Sequence, residues 1–379
     1  MPTLPANLFS STDHALMQQA LRVAEFGLGL TWPNPSVGCV IAKNCHVVGI
    51  GATAAGGRPH AEIMALQQAG ALAQGADVYV TLEPCAHIGQ TPPCAMALIE
   101  AGVKRVVIAT ADPYPQVAGR GIMLLQQAGI VVEVGLCAAE AQHSHAGFFS
   151  LVQRQRPLLA LKIAASLDGK IALKNGQSKW ITSPAARERA HWLRSHYDAI
   201  MVGINTVLAD DPMLNSRLQG LERRRNPRIV VDTHLRLPLN AQLVETAALF
   251  PVWVFCGKAA QASAHAQSLQ AKNVRVFGVD VEPNGHVDLA EILAILGKEG
   301  ISRLLLEGGI KLATGFWQQG LVDELYWFQA PLLMGAGAID ATPVAQIFTM
   351  ADAQRLSQAK VLWQHPTIMG EMLLYSQLQ

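Results

Sequence analysis

Charge is scarce in this chain. Only 15% of its 379 residues are Asp, Glu, Lys or Arg, and the 29 basic and 28 acidic side chains nearly cancel to a net charge of +1. That balance gives no electrostatic support for a nucleic-acid partner, which demands a basic face. Aromatic residues are also few, at 6%. Cysteine is limited to Cys39, Cys45, Cys85, Cys94, Cys137 and Cys256, with no disulfide-framework spacing. A reducing compartment is therefore expected, with Cys39, Cys137 and Cys256 as buried free thiols. Residues 1–11 lack the basic start and apolar run of a signal peptide. No apolar run is long enough to span a bilayer. A soluble, cytoplasmic protein is the expectation. Internal repeats, heptads, low-complexity segments and a GxGxxG fingerprint are absent as well.

What the chain has is apolar material. Half of its residues are hydrophobic, enough for two packed domains at this length. Strand patterns alternate with helix patterns in both halves, which predicts α/β architecture and, in the first half, a three-layer sandwich. A first helix is expected from Asp13 to Gly29, capped among Ser11, Thr12 and Asp13. Strands at 37–42 and 46–52 should form a hairpin through Lys43-Asn44-Cys45. His60 and Cys94 are each expected at the start of a helix. A polar stretch around Gly147 to Arg156 is expected to divide the chain into domains 1–147 and 157–379, with 148–156 as linker.

The stretch from His60 to Cys94 carries the clearest chemistry. It reads His60-Ala61-Glu62, then Leu82-Glu83-Pro84-Cys85, then eight residues, then Cys94. One imidazole and two thiolates can hold zinc and leave a fourth tetrahedral position open, as catalytic sites do. Helix starts favour thiolates. Glu62 sits too close to His60 in sequence to be a further ligand, and can instead move a proton beside the metal. Zinc supplies an activated water, so the set suits hydrolytic deamination of a nitrogen heterocycle. This is the His-x-Glu and Pro-Cys-x-x-Cys order of zinc nucleobase deaminases. Here eight residues separate the cysteines where that signature has two.

The whole chain resembles the bifunctional enzymes of riboflavin biosynthesis, a diaminohydroxyphosphoribosylaminopyrimidine deaminase fused to a 5-amino-6-(5-phosphoribosylamino)uracil reductase. The resemblance rests on Pro84 to Cys94 with its long cysteine spacing, on Pro33-Asn34-Pro35-Ser36-Val37-Gly38, and on Asp112 to Gly121. In the second half it rests on Leu161 to Lys170, Ser178 to Thr182 and Gly203 to Pro212. Tyr114 departs from it, standing where a small polar residue is expected. The resemblance implies a cytidine-deaminase-like N-terminal domain and a dihydrofolate-reductase-like C-terminal domain. It implies zinc on His60, Cys85 and Cys94, proton transfer by Glu62, the pyrimidine on Asn34 and the substrate phosphate on His87. It further implies that NADPH reduces the ribosyl group to ribityl in the second half. There Ala164, Trp180, Thr206, Asp210, Gly309, Ile310, Lys311, Leu312, Ala313, Thr314 and Gly315 would line the cofactor site. Ser178, Arg194, Leu214, Arg217 and Glu307 would contact substrate, and Lys162 and Glu307 would handle protons.

Taken alone, the loop Glu307 to Gly315 is a strand-to-helix turn whose glycines let backbone N–H groups approach a phosphate. The expected partners are a small phosphoribosyl pyrimidine and further copies of this chain, with no nucleic acid and no membrane. The rival functions are a nucleic-acid-acting deaminase with a C-terminal binding module, and a zinc-stabilised scaffold without activity. The basic run Glu222-Arg223-Arg224-Arg225-Asn226 is expected to be a solvated loop.

Overall fold

The structure is a computed structural model that describes residues 9–86, 92–114, 118–221, 224–343, 356–368 and 371–378. It divides into two compact units, Met1–Gln155 and Arg156–Gln379.

The first unit runs α1 (Ser11–Glu25), β1 (Gly38–Lys43), β2 (His46–Ala52), α2 (Ala61–Ala69), β3 (Asp77–Val80), α3 (Cys94–Glu100), β4 (Arg105–Ile108), α4 (Arg120–Gln127), β5 (Val131–Val134), α5 (Ala138–Ser144) and α6 (Ala146–Arg154). Its five strands lie in the order β2-β1-β3-β4-β5. β1 is antiparallel to β2 and β3, and β3, β4 and β5 are parallel. Side chains alternate across the pleat, so each strand feeds two cores. Cys39, Ile41, Val78, Val80, Val106 and Ile108 pack with Ala61 and Ala65 of α2 and with Leu98 of α3. Val40, Ala42, Tyr79 and Val107 pack with Leu16, Met17 and Ala20 of α1. Helices thus cover both faces, giving the sandwich expected from the sequence.

Local details differ from the sequence reading. α1 begins at Ser11, capped by Ser10, because the Ser10 side chain accepts from the Asp13 N–H while Asp13 bonds back to the Ser10 N–H. The segment 148–156, expected to be a linker, is mostly α6, whose Phe148 and Phe149 pack on the first unit's core. Cys39 and Cys256 are buried, but Cys137 is half-exposed at the left-handed cap of α5.

The second unit contains β6 (Leu158–Ser166), β7 (Lys170–Ala172), α7 (Pro184–Ser195), β8 (Ala199–Gly203), α8 (Ile204–Asp210), β9 (Arg228–Val231), α9 (Gln242–Glu245), β10 (Val252–Gly257), α10 (Lys258–Gln261), α11 (Ala264–Ala271), β11 (Val274–Val279), α12 (Leu289–Lys298), β12 (Arg303–Glu307), α13 (Ile310–Gln318), β13 (Glu324–Ala330), β14 (Ile339–Asp340), β15 (Ser357–Gln364) and β16 (Met372–Gln377). Nine strands form one sheet in the order β11-β10-β9-β8-β12-β6-β13-β16-β15. The strands from β11 to β13 are parallel, and β16 and β15 add antiparallel pairings at one end. Buried on both faces, these strands read as continuous apolar runs such as Val252 to Cys256. Ser183 caps α7 with Pro184 at its first position, as the sequence predicts.

The basic run is only partly solvated. Arg225 is exposed and lies over the Phe250 ring at 4.7 Å, whereas Asn226 is buried and donates to the Tyr197 carbonyl. Arg224 donates to the Ser195 carbonyl. Glu222 and Arg223 lie outside the described residues. Among the described residues, no helix is long and apolar enough to cross a membrane.

Candidate functional site

In the first unit, α2 is drawn tightly against β2. A side chain at Gly51 would stand 2.1 Å from the Ala61 carbonyl oxygen, so glycine there permits the approach. His60 is the residue before α2, in extended conformation, and its side chain makes no capping hydrogen bond. The imidazole is therefore free to turn toward the cysteines. Cys85 follows β3, and its carbonyl accepts the Ala95 N–H at 3.2 Å, tethering the start of α3. Cys94 is the first residue of α3.

The three donor atoms lie within 4.8 Å of one another. His60 Nδ1 is 3.7 Å from Cys85 Sγ and 3.3 Å from Cys94 Sγ. Bond lengths of about 2.3 Å to sulfur and about 2.0 Å to nitrogen put tetrahedral zinc ligands roughly 3.5 to 3.8 Å apart. The donor set and spacing fit zinc. The Cys94 N–H donates to Cys85 Sγ at 3.3 Å. Hydrogen bonds from Cys94 and His60 pull the Cys85 thiol down to about 4 against the effect of burial. The side-chain hydrogen bond between the two cysteines and burial push Cys94 up, and the separate hydrogen bond of His60 to Cys85 raises the imidazole.

Glu62 is in the first turn of α2 and is only 3% exposed. Burial is the main cause that pushes its carboxyl up to about 7, with the Cys85 charge adding to it. A cavity of about 410 Å³ opens onto His60, Glu62 and Cys85, and Asn34, Arg58, Asp112, Tyr114, Arg120 and Phe148 also line it. Asn34 donates an amide N–H to the Gly57 carbonyl at 3.0 Å, leaving its oxygen and second N–H for a ligand. His87 lies outside the described residues.

Glu83 has a role that the sequence did not suggest. Its buried carboxylate accepts backbone N–H groups of Asp112 at 3.2 Å, Gly119 at 3.0 Å and Gly121 at 3.0 Å. It thereby holds two cavity-lining segments next to the zinc donors. No local motif announces such a clasp, because its partners are 29 to 38 residues away.

In the second unit, Lys162 of β6 and Glu307 of β12 are direct register partners, with Nζ 4.0 Å from the carboxylate. Arg194 of α7 grips Glu307 through two bonds, Nε at 2.7 Å and Nη2 at 3.0 Å, and gives Nη1 to the Asn215 carbonyl at 3.1 Å. Burial works to raise Glu307, but the charges of Arg194 and Lys162 win and hold it at about 2. Burial lowers Lys162, helped by Arg194 and opposed by Glu307. Leu214 is buried with a positive φ, and Ser178 and Arg217 are exposed.

The glycine-rich loop bends as the sequence requires. Gly308 and Gly309 have φ of 71° and 78°, and a side chain on Gly308 would press within 3.1 Å of the Thr206 hydroxyl. Gly309 caps α13, whose first N–H groups are left for an anion. That glycine cradle fits the diphosphate of a dinucleotide. Gly309, Lys311, Leu312 and Gly315 line a cavity of about 280 Å³ at the ends of β8 and β9. Ala313 instead faces the core, and the Thr314 hydroxyl bonds back to the Ile310 carbonyl. Asp210 pairs with Lys179 at 3.8 Å, and the exposed Trp180 ring lies under Arg187 at 4.3 Å. Ala164 is in β6. None of Ala164, Trp180, Thr206 and Asp210 lines the 280 Å³ cavity, whereas Thr233, His234, Arg236 and His286, which the sequence did not single out, do.

Two family models match the chain. The cytidine and deoxycytidylate deaminase zinc-binding region covers residues 10–110, and the RibD C-terminal domain covers residues 157–362. The riboflavin biosynthesis protein RibD of Aquifex aeolicus is 43% identical over 86% of this chain and 88% of its own length. That of Escherichia coli is 42% identical over 90% of this chain and 94% of its own. A structure of Acinetobacter baumannii RibD superposes with a TM-score of 0.84 at 39% identity, covering 97% of this chain and 99% of that one. A Thermotoga maritima diaminohydroxyphosphoribosylaminopyrimidine deaminase/5-amino-6-(5-phosphoribosylamino)uracil reductase superposes at 0.82 with 32% identity, covering 97% and 99%.

Proposed function

The chain belongs to the RibD family of riboflavin biosynthesis proteins, and on that premise we propose that its two units act in turn on one phosphoribosyl pyrimidine. It is a bifunctional enzyme, a zinc-dependent deaminase joined to an NADPH-dependent reductase. The first unit removes the 2-amino group of 2,5-diamino-6-(5-phosphoribosylamino)pyrimidin-4-one, and the second reduces the ribosyl group to ribityl. The observation that carries this reading is the cluster of His60, Cys85 and Cys94 with buried Glu62 beside it.

In the deaminase step water adds at the ring carbon and ammonia leaves. His60, Cys85 and Cys94 would hold zinc, which would supply the Lewis acidity that makes a water nucleophilic near neutral pH. Asn34 holds the pyrimidine through its amide. Glu62 takes the proton that the water loses and passes it to the ring nitrogen and then to the departing amine. A general acid–base group in this position contributes about 10²- to 10⁴-fold.

In the reductase step the furanose ring opens as its carbon gains two electrons and its oxygen gains a proton. The Gly308–Gly309 turn would hold NADPH by its diphosphate, and the cofactor would supply the hydride. Lys162, its pKa lowered by burial, is placed to give the proton. Glu307 remains a carboxylate at neutral pH, so it anchors Arg194 and orients Lys162 instead of donating. Exposed Arg217 offers its guanidinium to the substrate phosphate.

Supplied with substrate and NADPH, the enzyme should release ammonia before it oxidises NADPH. The Glu62→Gln variant should lose ammonia release yet still oxidise NADPH when given the deaminated pyrimidine. Ammonia release that survives in this variant defeats the proposed proton transfer.

A homo-oligomer is part of the proposal. The sheet edge at β15 exposes Val361 and Leu362, and such edges are usually covered; sedimentation velocity measures it. A cytoplasmic location is supported by six unpaired cysteines and is checked by cell fractionation.

A further inference from the structure

The first residue of β9 is an arginine that the proposed proton and hydride chemistry does not use. Arg228 is only 1% exposed. Burial alone brings its pKa down to about 10, so it keeps its charge at neutral pH. A buried guanidinium without a counter-ion is tolerated only when its donors are satisfied. Here Nη1 donates to the Met213 carbonyl at 3.1 Å and to the Thr246 hydroxyl at 2.9 Å. Nη2 donates to the carbonyls of Leu243 at 3.1 Å and Phe250 at 2.6 Å. Leu243 is in α9, Thr246 ends it, and Phe250 lies between it and β10. Met213 belongs to a different segment, the one that joins α8 to β9.

Met213 stands directly before Leu214, which is buried with a φ of 52°. That left-handed backbone is costly for a leucine and persists only where its surroundings fix it. Both flanking carbonyls are gripped by arginines. Arg228 takes that of Met213, and Arg194, the partner of Glu307, takes that of Asn215 at 3.1 Å. The Ser216 hydroxyl then donates to the His191 carbonyl at 3.2 Å, tying the same segment to α7. Arg194, Leu214, Asn215 and Arg228 line a void of only about 10 Å³, at the lower limit for a single water, so the segment has little room to relax. We propose that Arg228 is a positioning residue of the reductase: it clamps the Met213 carbonyl, keeps Leu214 left-handed and so sets where residues 214–217 meet the substrate.

The inference rests on the reading of the second unit as a reductase whose substrate meets Leu214 and Arg217, and steady-state kinetics on the full chain separates the two. Lysine keeps the charge, but a compact ammonium on a flexible stem cannot span four acceptors on three segments. Arg228→Lys should raise the KM for the deaminated pyrimidine about 10-fold, since a displaced binding segment loses grip on the substrate. Its kcat, and its affinity for NADPH by calorimetry, should stay within about 2-fold of the wild type. Thr246→Val removes another bond of Arg228 without touching the segment, so it should lower the urea midpoint and leave this KM within about 2-fold. Should Arg228→Lys not fold, Ser216→Ala carries the test: it loosens the same segment and should raise the KM about 3-fold. An unchanged KM in folded Arg228→Lys, or failing that in Ser216→Ala, overturns the proposal. So does a rise in Thr246→Val equal to that in Arg228→Lys, which marks a general loss of stability. A wild type that does not oxidise NADPH with the deaminated pyrimidine overturns the reductase reading and this role with it.

Discussion

Glu62 and Glu307 are both buried carboxyls, and their neighbours drive them in opposite directions. Glu62 has thiols and an imidazole around it, so burial wins and its pKa is pushed up to about 7. Glu307 has the Arg194 fork and is held at about 2. The depressed value means that Glu307 stabilises the fold above its unfolded pKa, near 4.5, and that this contribution fades as pH falls toward about 2. A displacement of that size corresponds to an upper limit of about 3 kcal/mol. Glu307→Gln, which strands Arg194, should therefore cost on the order of 3 kcal/mol in urea unfolding at pH 7. The penalty should shrink as the pH is lowered through 4.5 toward 2. A penalty that is equal at both ends would sink the ion-pair account. The sequence pointed to Arg194 and Glu307 separately through resemblance, but not to their pairing. They lie 113 residues apart, and nothing local encodes the contact. The zinc donors were more legible because each stands beside its own punctuation, Pro59 before His60, Pro84 before Cys85 and Pro93 before Cys94.

Helix starts show the same contrast at the scale of elements. α1 begins with a capping box in which Asp13 receives the Ser10 N–H at 2.8 Å and hydroxyl at 2.7 Å. The same carboxylate takes the Tyr79 hydroxyl and Arg105 Nη1, each at 2.7 Å, so it also joins α1 to β3 and β4. Burial opposes the charge, yet Arg105, Tyr79 and Ser10 hold Asp13 well below the usual carboxylate range. Ser10→Ala should cost about 1 kcal/mol, the usual value of a cap. Asp13→Asn should cost about 3 kcal/mol, since it leaves Arg105 short of a partner. Chemical denaturation of both variants checks this, and equal costs would show that Asp13 acts only as a cap. Sequence periodicity found α1 but misplaced its cap by a residue or more, because Ser10, Ser11, Thr12 and Asp13 are all competent and only tertiary contacts choose among them. It missed α6 for another reason. His143, His145, Arg154 and Arg156 made the segment look polar, yet His145 is buried and bonds the Thr81 hydroxyl at 3.1 Å. Phe148 and Phe149 supply the apolar face that seats the helix.

For the molecule as a whole, each unit has its own sheet and its own core, and the two ligands divide accordingly. All three proposed zinc donors belong to the first unit, and the glycine cradle belongs to the second. A ligand that binds only the folded state stabilises it by mass action, by about 2.7 kcal/mol at a concentration 100 times its Kd. For zinc the linkage is strong, because the site exists only when β3, α2 and α3 are folded together. Chelation of the full chain should therefore lower the melting of the first unit and abolish ammonia release. It should leave the affinity for NADPH within about 2-fold of its zinc-loaded value, since the proposed zinc donors belong to the first unit and the residues lining the proposed cofactor cavity belong to the second. Saturating NADPH should raise only the melting transition that chelation leaves in place. Calorimetric scans with and without chelator, each repeated with NADPH, resolve the four states. If zinc removal weakened NADPH binding several-fold, the units would share a coupling free energy, and the division of the chain into two independently loaded enzymes would be wrong.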